Sequence, residues 1–187
     1  MPFDHFDFIA PLYNRVGAYS ALDTMLEIGA FPVNGRLLDA GGGTGRVANA
    51  LLDQVDQIVI ADVSLGMLHF AASKPGLQTA AAYSEHLPFP DNSFDRIVMV
   101  DALHHVVHQA DTARELFRLL KPGGRIIIEE PDIRILGVKL IALGEKILLM
   151  RSHFLAPEQI ASLFPSAKTE ITAKESSAWI VVKKQVT

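Results

Sequence analysis

An acid and four glycines fall within seven residues, Asp39-Ala40-Gly41-Gly42-Gly43-Thr44-Gly45. A glycine run lets the backbone turn tightly and lie against a ligand, because any Cβ there would hold the chain away. Arg36 to Ala40 before the run reads as a short buried strand, and Arg46 to Leu52 after it as a helix. Strand, glycine loop and helix in that order form a nucleotide-type crevice at the carboxyl end of a parallel strand. What the loop lacks narrows its chemistry. The dinucleotide fingerprint Gly-x-Gly-x-x-Gly fits at Gly41 and Gly43 but meets Arg46 at its third glycine. The phosphate loop ends in Gly-Lys-Ser/Thr, and no lysine stands here. The pattern that remains, Asp-x-Gly-x-Gly-x-Gly over Asp39, Gly41, Gly43 and Gly45, suits a cofactor without a phosphate, with Asp39 holding the loop.

Further candidates stand at the ends of the next apolar runs. Gln57 to Ala61 reads as a second strand that ends at Asp62, 17 residues past Gly45. That is near the roughly 20-residue spacing at which an acid meets a ribose. Ser64 is an N-cap for a helix over Leu65 to Ala71, which carries Met67. Gln78 to Ala82 reads as a third strand and leads to Tyr83, Ser84 and Glu85. Phe94 to Val100 is a fourth, followed by Asp101-Ala102-Leu103-His104-His105. Its carboxyl end lines the same crevice, and histidine titrates near neutral pH, so His105 and His104 are candidate bases. Their other reading is a packed or cofactor-side histidine. His104 and His108 are four apart, but no glutamate follows the first histidine and no cysteine exists in the chain, so no metal site is expected.

The rest of the chain supplies the frame. Val16 to Ile28 has helical spacing and is ended by Gly29 and Pro32. Thr112 to Leu120 is a helix stopped by Pro122, and Arg125 to Glu129 is a fifth strand given a structural role. Ile133 to Met150 is amphipathic, with Ile133, Leu136, Leu140, Leu143, Ile147 and Met150 near one side. A short helix from Pro157 to Phe164 precedes two strands, Thr169 to Lys174 and Ala178 to Lys183, that fit an antiparallel pair. Alternating strands and helices predict a parallel α/β sheet with right-handed crossovers.

Four segments, in this order, resemble the class I S-adenosylmethionine (SAM)-dependent methyltransferases, most nearly the quinone and small-molecule (type 11) branch. They are Asp39 to Gly45, Asp62 to Leu68, Ser84 to Phe89 (Ser-Glu-His-Leu-Pro-Phe) and Leu120 to Gly124 (Leu-Lys-Pro-Gly-Gly). The segment Phe6 to Asn14 is similar to the N-terminus of quinone-type members. The resemblance implies a Rossmann-like, mostly parallel seven-stranded sheet of order 3-2-1-4-5-7-6, its last strand antiparallel, with helices on both faces. It implies one domain over residues 1–187, with residues 1–31 as an N-terminal helical cap. It implies SAM as cofactor, touched by Tyr13 in the cap, by Asp39, Gly41, Gly43 and Gly45 in the loop, and by Asp62 at the ribose. Met67, Tyr83 and Ser84 are then expected at the adenine, and Val63 and, at the end of the fourth strand, Asp101 elsewhere along the cofactor. One departure is plain: the family carries an aspartate for the adenine amino group where this chain has Tyr83.

Composition narrows the partner. Apolar residues are 49% of the 187, enough for a folded core and too many for a disordered chain. Net charge is −4 and the longest basic run is Lys183-Lys184, so a nucleic-acid partner is not expected. Met1 to Asp7 lacks the basic start of a signal peptide, and charges interrupt the longest apolar window, so no stable membrane insertion is expected and a cytoplasmic site is. The expected function is methyl transfer from SAM to a small apolar acceptor, by a monomer or homodimer. A non-catalytic SAM-binding module is the alternative, and a nicotinamide oxidoreductase a weaker one because of Arg46. If Asp62 holds the ribose, Asp62→Ala should weaken SAM and its demethylated product by about ten- to a hundredfold, the worth of hydrogen bonds to a charged acceptor. Calorimetry on the folded variant checks this, and unchanged affinity would remove the assignment.

Overall fold

The computed structural model describes residues 10–11, 17–139 and 152–186. Its strands are β1 (Val33–Ala40), β2 (Val55–Asp62), β3 (Leu77–Ala81), β4 (Phe94–Val100), β5 (Leu120–Pro131), β6 (Lys168–Lys174) and β7 (Ser177–Lys183). Its helices are α1 (Leu22–Gly29), α2 (Arg46–Ala50), α3 (Leu65–Ala72), α4 (Gln109–Leu119) and α5 (Pro157–Ser162). The strands form a single sheet of order β3-β2-β1-β4-β5-β7-β6. Pairings from β3 across to β5 are parallel, and β7 is antiparallel to both β5 and β6. This is the expected order.

Central strands are apolar on both faces because both faces are covered. Ile97 and Met99 pack with Leu116 and Leu119 of α4 and Ile160 of α5. Val98 and Val100, one residue out of phase, pack with Met25 of α1, Val47 of α2 and Leu68 of α3. The two-residue period of the strand thus sends alternate side chains to two separate cores. The crevice lies where the β1–α2 and β4–α4 connections leave the sheet in opposite directions.

Several boundaries differ from the sequence reading. Helix α1 begins at Leu22, with no side chain capping its start, rather than near Val16; residues 12–16 lie outside the described set. Helix α2 stops at Ala50 and tightens into a 3₁₀ turn over Leu52–Gln54. Helix α4 starts earlier, at Gln109, whose side chain donates to the Leu103 and His153 carbonyls. Strand β5 is far longer than Arg125 to Glu129. Phe94 pairs with Leu120 and Arg96 with Arg125, so the Lys-Pro-Gly-Gly segment bulges out between two ladder pairs. Of the amphipathic stretch after β5, residues 140–150 lie outside the described set. In the part before them Val138 is buried and Leu136 is 72% exposed, so Leu136 is not on a packed side. Likewise, the described part of the N-terminal segment is a core element: Met25 of α1 is fully buried beneath the sheet.

The sheet also closes the end of α1. A helix leaves its last carbonyls without partners, and a cation there complements its dipole. Arg125 Nη1 donates to Ile28 O at 2.9 Å, Arg96 Nε to Gly29 O at 2.7 Å and Arg96 Nη2 to Ala30 O at 3.1 Å. Arg96→Met keeps bulk but strands the Gly29 and Ala30 carbonyls, so it should cost roughly 2–4 kcal/mol of stability. A urea melt with unchanged midpoint would show that water satisfies the carbonyls instead.

Candidate functional site

Loops at the carboxyl ends of the strands enclose a cavity of about 720 Å³. One end is the glycine loop. Gly41, Gly43 and Gly45 have φ of +69°, +54° and +77°, a region that side chains disfavour. A Cβ on Gly41 would come within 2.7 Å of Ala102 Cβ. A Cβ on Gly42, which no motif position requires, would come within 2.5 Å of Asp39 Cγ. Gly43 alone borders open space, with Met67 Sδ the nearest atom at 3.9 Å. Gly45 does not line the cavity; a Cβ there would strike Ile60 of β2 at 2.8 Å, so its role is close helix–sheet packing.

Two carboxylates pin this loop. Asp39 Oδ2 accepts from Ala48 N at 3.1 Å, and Asp62 Oδ2 accepts from Gly43 N at 2.8 Å. Asp62 Oδ1 takes Ser64 N at 2.9 Å, and Ser64 Oγ caps α3 by accepting from Met67 N. Lys74 Nζ, in the turn after α3, adds a bond to the Thr44 carbonyl. Asp39 is fully shielded from water, and that burial, with a smaller push from Asp62, lifts its pKa to about 7.

A second layer comes from β5 and the N-terminal segment. Asp101 sits at φ +51° just past β4, its N–H donating to Glu129 O at 2.9 Å. Glu129 Oε2 accepts from Tyr19 Oη at 2.5 Å. Burial raises both groups of that pair. Arg46 lies 3.8 Å from Asp101 and over the Tyr19 ring at 5.4 Å. Glu130 Oε1 accepts from Ala102 N and Leu103 N, and its Oε2 meets His104 Nδ1 at 2.5 Å. His104 is stacked on Phe154 at 4.4 Å and lies 4.0 Å from the His105 ring. Burial, with the neighbouring His104, pushes His105 down to about 3. Its ring is therefore neutral at working pH, and the expected titration near neutrality is absent at that residue.

The structure gathers Asp39, Gly41, Gly43, Asp62, Val63, Met67, Tyr83, Ser84, Asp101, His104 and His105 around the one cavity. Tyr83 stands at its rim, 68% exposed. Tyr13 lies outside the described residues. Glu129, Glu130 and Tyr19 escaped the sequence reading, although paired acids at the carboxyl end of a parallel strand were a usable signal. Among the described residues no cluster of His, Asp and Glu is placed to hold a metal ion. No described helix is long and apolar enough to cross a membrane.

Residues 38–128, the span from β1 to β5 that builds this cavity, match the family model described as "Methyltransferase domain". Over 115 residues the chain is 34% identical to the ubiquinone/menaquinone biosynthesis C-methyltransferase UbiE of Pseudomonas fluorescens. Residues 38–128 thus carry a methyltransferase domain, similar to that of the UbiE proteins and of the class I SAM-dependent type. That match covers 56% of this chain and 45% of the relative, so the chain spans about half the length of the relatives it matches. The corresponding UbiE of Pseudomonas putida is 33% identical over the same length. Among solved structures, a SAM-dependent methyltransferase from Aquifex aeolicus superimposes with a TM-score of 0.75 at 15% identity, over 96% of this chain and 98% of that one. The [4+2]-cyclase SpnF superimposes with a TM-score of 0.77 at 20% identity, over 97% and 95%. SAM is the methyl donor of the methyltransferase family, and the cavity suits it: an open backbone at Gly43, carboxylates for a cation and no phosphate-binding lysine.

The raised Asp39 carboxyl has a pH signature. The folded state keeps a proton there that the unfolded chain releases above pH 3.8, so stability falls as pH rises from about 4 to 7. The full penalty, on the order of 4 kcal/mol, is present above pH 7. Asp39→Asn keeps an acceptor for Ala48 N without the charge. Its urea stability should exceed that of the unsubstituted protein at pH 8, and the gap should close toward pH 5. A gap independent of pH would show that Asp39 does not titrate in this window.

Proposed function

We propose that this methyltransferase carries the methyl group of SAM to a small apolar ring of the quinone type, within one domain whose residues ahead of α1 cap the site. The observation that supports this best is that the cavity is continuous. It runs from the glycine loop and Asp62 to an end walled by Met99, Val106, Val107 and the two histidines. Its volume of about 720 Å³ falls in the range of small-molecule sites, roughly 300–1,000 Å³. The UbiE relatives, named as ubiquinone/menaquinone C-methyltransferases, direct the choice of ring.

Each residue then has a role. Asp62 faces the ribose, its carboxylate oriented by the amides of Gly43 and Ser64. Met67 and Val63 border the adenine, Ser84 offers its amide there and Tyr83 covers the ring from the rim. Asp101 lies toward the methionine end. Bound SAM supplies an electrophilic methyl on a sulfonium, so the protein's main contribution is alignment. A ring carbon that accepts a methyl must give up its proton. His104 is the group we assign to receive it. Glu130 meets Nδ1 and fixes the ring's orientation, and Nε2 is the atom assigned to the proton. His105, depressed to about 3, serves as a neutral wall and hydrogen-bonding group.

Incubation with SAM and reduced benzo- or naphthoquinone rings lacking one methyl should yield demethylated cofactor and a singly methylated ring in equal amounts. Glu130→Gln should lower kcat by about a hundredfold or more while changing product-cofactor affinity less than threefold. SAM binding without turnover on any such ring would favour a binding module, or another reaction on this fold.

A further inference from the structure

The glycine-loop end of the cavity is acidic: Asp39, Asp62 and Asp101 line it, and among the described residues Arg46 is the one lysine or arginine that does so. Arg46 stands directly after the last motif glycine, where a dinucleotide fold would need its third glycine. Its guanidinium is oriented but not satisfied. It lies over the Tyr19 ring at 5.4 Å and 3.8 Å from Asp101, beyond hydrogen-bonding distance. Its five N–H donors make no hydrogen bond to any described residue. Tyr19 is in turn fixed by its 2.5 Å bond to Glu129, so the ring beneath the guanidinium does not swing. A planar donor fork held on an aromatic face, with donors unused and aimed along a cavity wall, matches a planar two-oxygen acceptor.

We propose that Arg46 binds the methionine carboxylate of SAM and selects for it. This rests on the SAM reading above. That cofactor carries two cations and one anion at its methionine end. The acids of the wall serve the cations, and Arg46 is placed for the anion. Asp101 holds the guanidinium until the ligand arrives and then faces the ligand's ammonium, exchanging one opposite-charge contact for two. Its position directly after the glycine loop that Asp39 and Asp62 hold assigns Arg46 to the cofactor rather than to the acceptor.

Calorimetry without acceptor tests this on the full chain, with SAM and decarboxylated SAM, which differ only in that carboxylate. The unsubstituted protein should prefer SAM by about ten- to a hundredfold. Arg46→Gln should bind the two nearly alike, through loss of affinity for SAM alone. Arg46→Lys, which keeps the charge without the fork, should retain part of the preference, and it decides the matter if the glutamine variant does not fold. A preference undiminished in both folded variants, or none in the unsubstituted protein, would overturn the proposal. If the unsubstituted protein bound neither sulfonium, the SAM reading itself would fall; binding both equally would overturn only the role of Arg46.

Discussion

The site depends on two carboxylates that grip one loop from the ends of adjacent strands. Asp39 at the end of β1 holds the amide of Ala48, and Asp62 at the end of β2 holds the amide of Gly43. Between these two bonds the chain makes three left-handed turns and starts a helix. The arrangement places negative charges near one another, one of them without access to water. A cation entering the cavity lowers that energy, so ligand binding and loop stability are linked quantities. A fold that kept a neutral residue at position 39 would be steadier and less receptive to a sulfonium.

The grip is only as good as the sheet behind it. Parallel pairing of β1 with β2 sets Asp39 beside Ile60 and Ala40 beside Ala61, which brings both carboxylates to one edge. The opposite wall is set from β5. Glu129 takes Tyr19, and Glu130 takes Ala102, Leu103 and His104. Consecutive strand residues point to opposite faces. Glu129 therefore anchors the N-terminal segment on one face while Glu130 anchors the histidine turn on the other. Two segments distant in sequence are positioned by two neighbouring side chains.

The sheet does not select the reaction. SpnF, named as a [4+2]-cyclase, superimposes on this chain about as well as the Aquifex aeolicus methyltransferase. Scaffold and chemistry are separable, and the distinction lies in the groups facing the cavity. Here those groups are the acid-lined glycine loop and a histidine end beside apolar walls, which is why the functional argument rests on side chains rather than on topology.

Much of this was legible in the chain itself. A parallel α/β sheet followed from the alternation of strands and helices, and its strand order from the resemblance to the methyltransferase family carried by the glycine loop and three further segments. Asp39, Gly41, Gly43, Asp62, Ser64 and Met67 could be placed by spacing, since each lies within one β-α unit where sequence distance fixes spatial distance. Other features had no such signal. Gly42 is required by Asp39 packing behind it, a contact set by side-chain direction and not by spacing. Glu129 read only as the last residue of a strand and Glu130 was not singled out, because their partners lie 110 and 26 residues away. The depressed pKa of His105 arises from burial beside His104, and Arg46 looked like a flaw in a fingerprint until Tyr19 was seen beneath it. Local motifs are written in short-range spacing; the electrostatic environment of a site is a sum over neighbours that only the closed tertiary structure brings within a few ångströms.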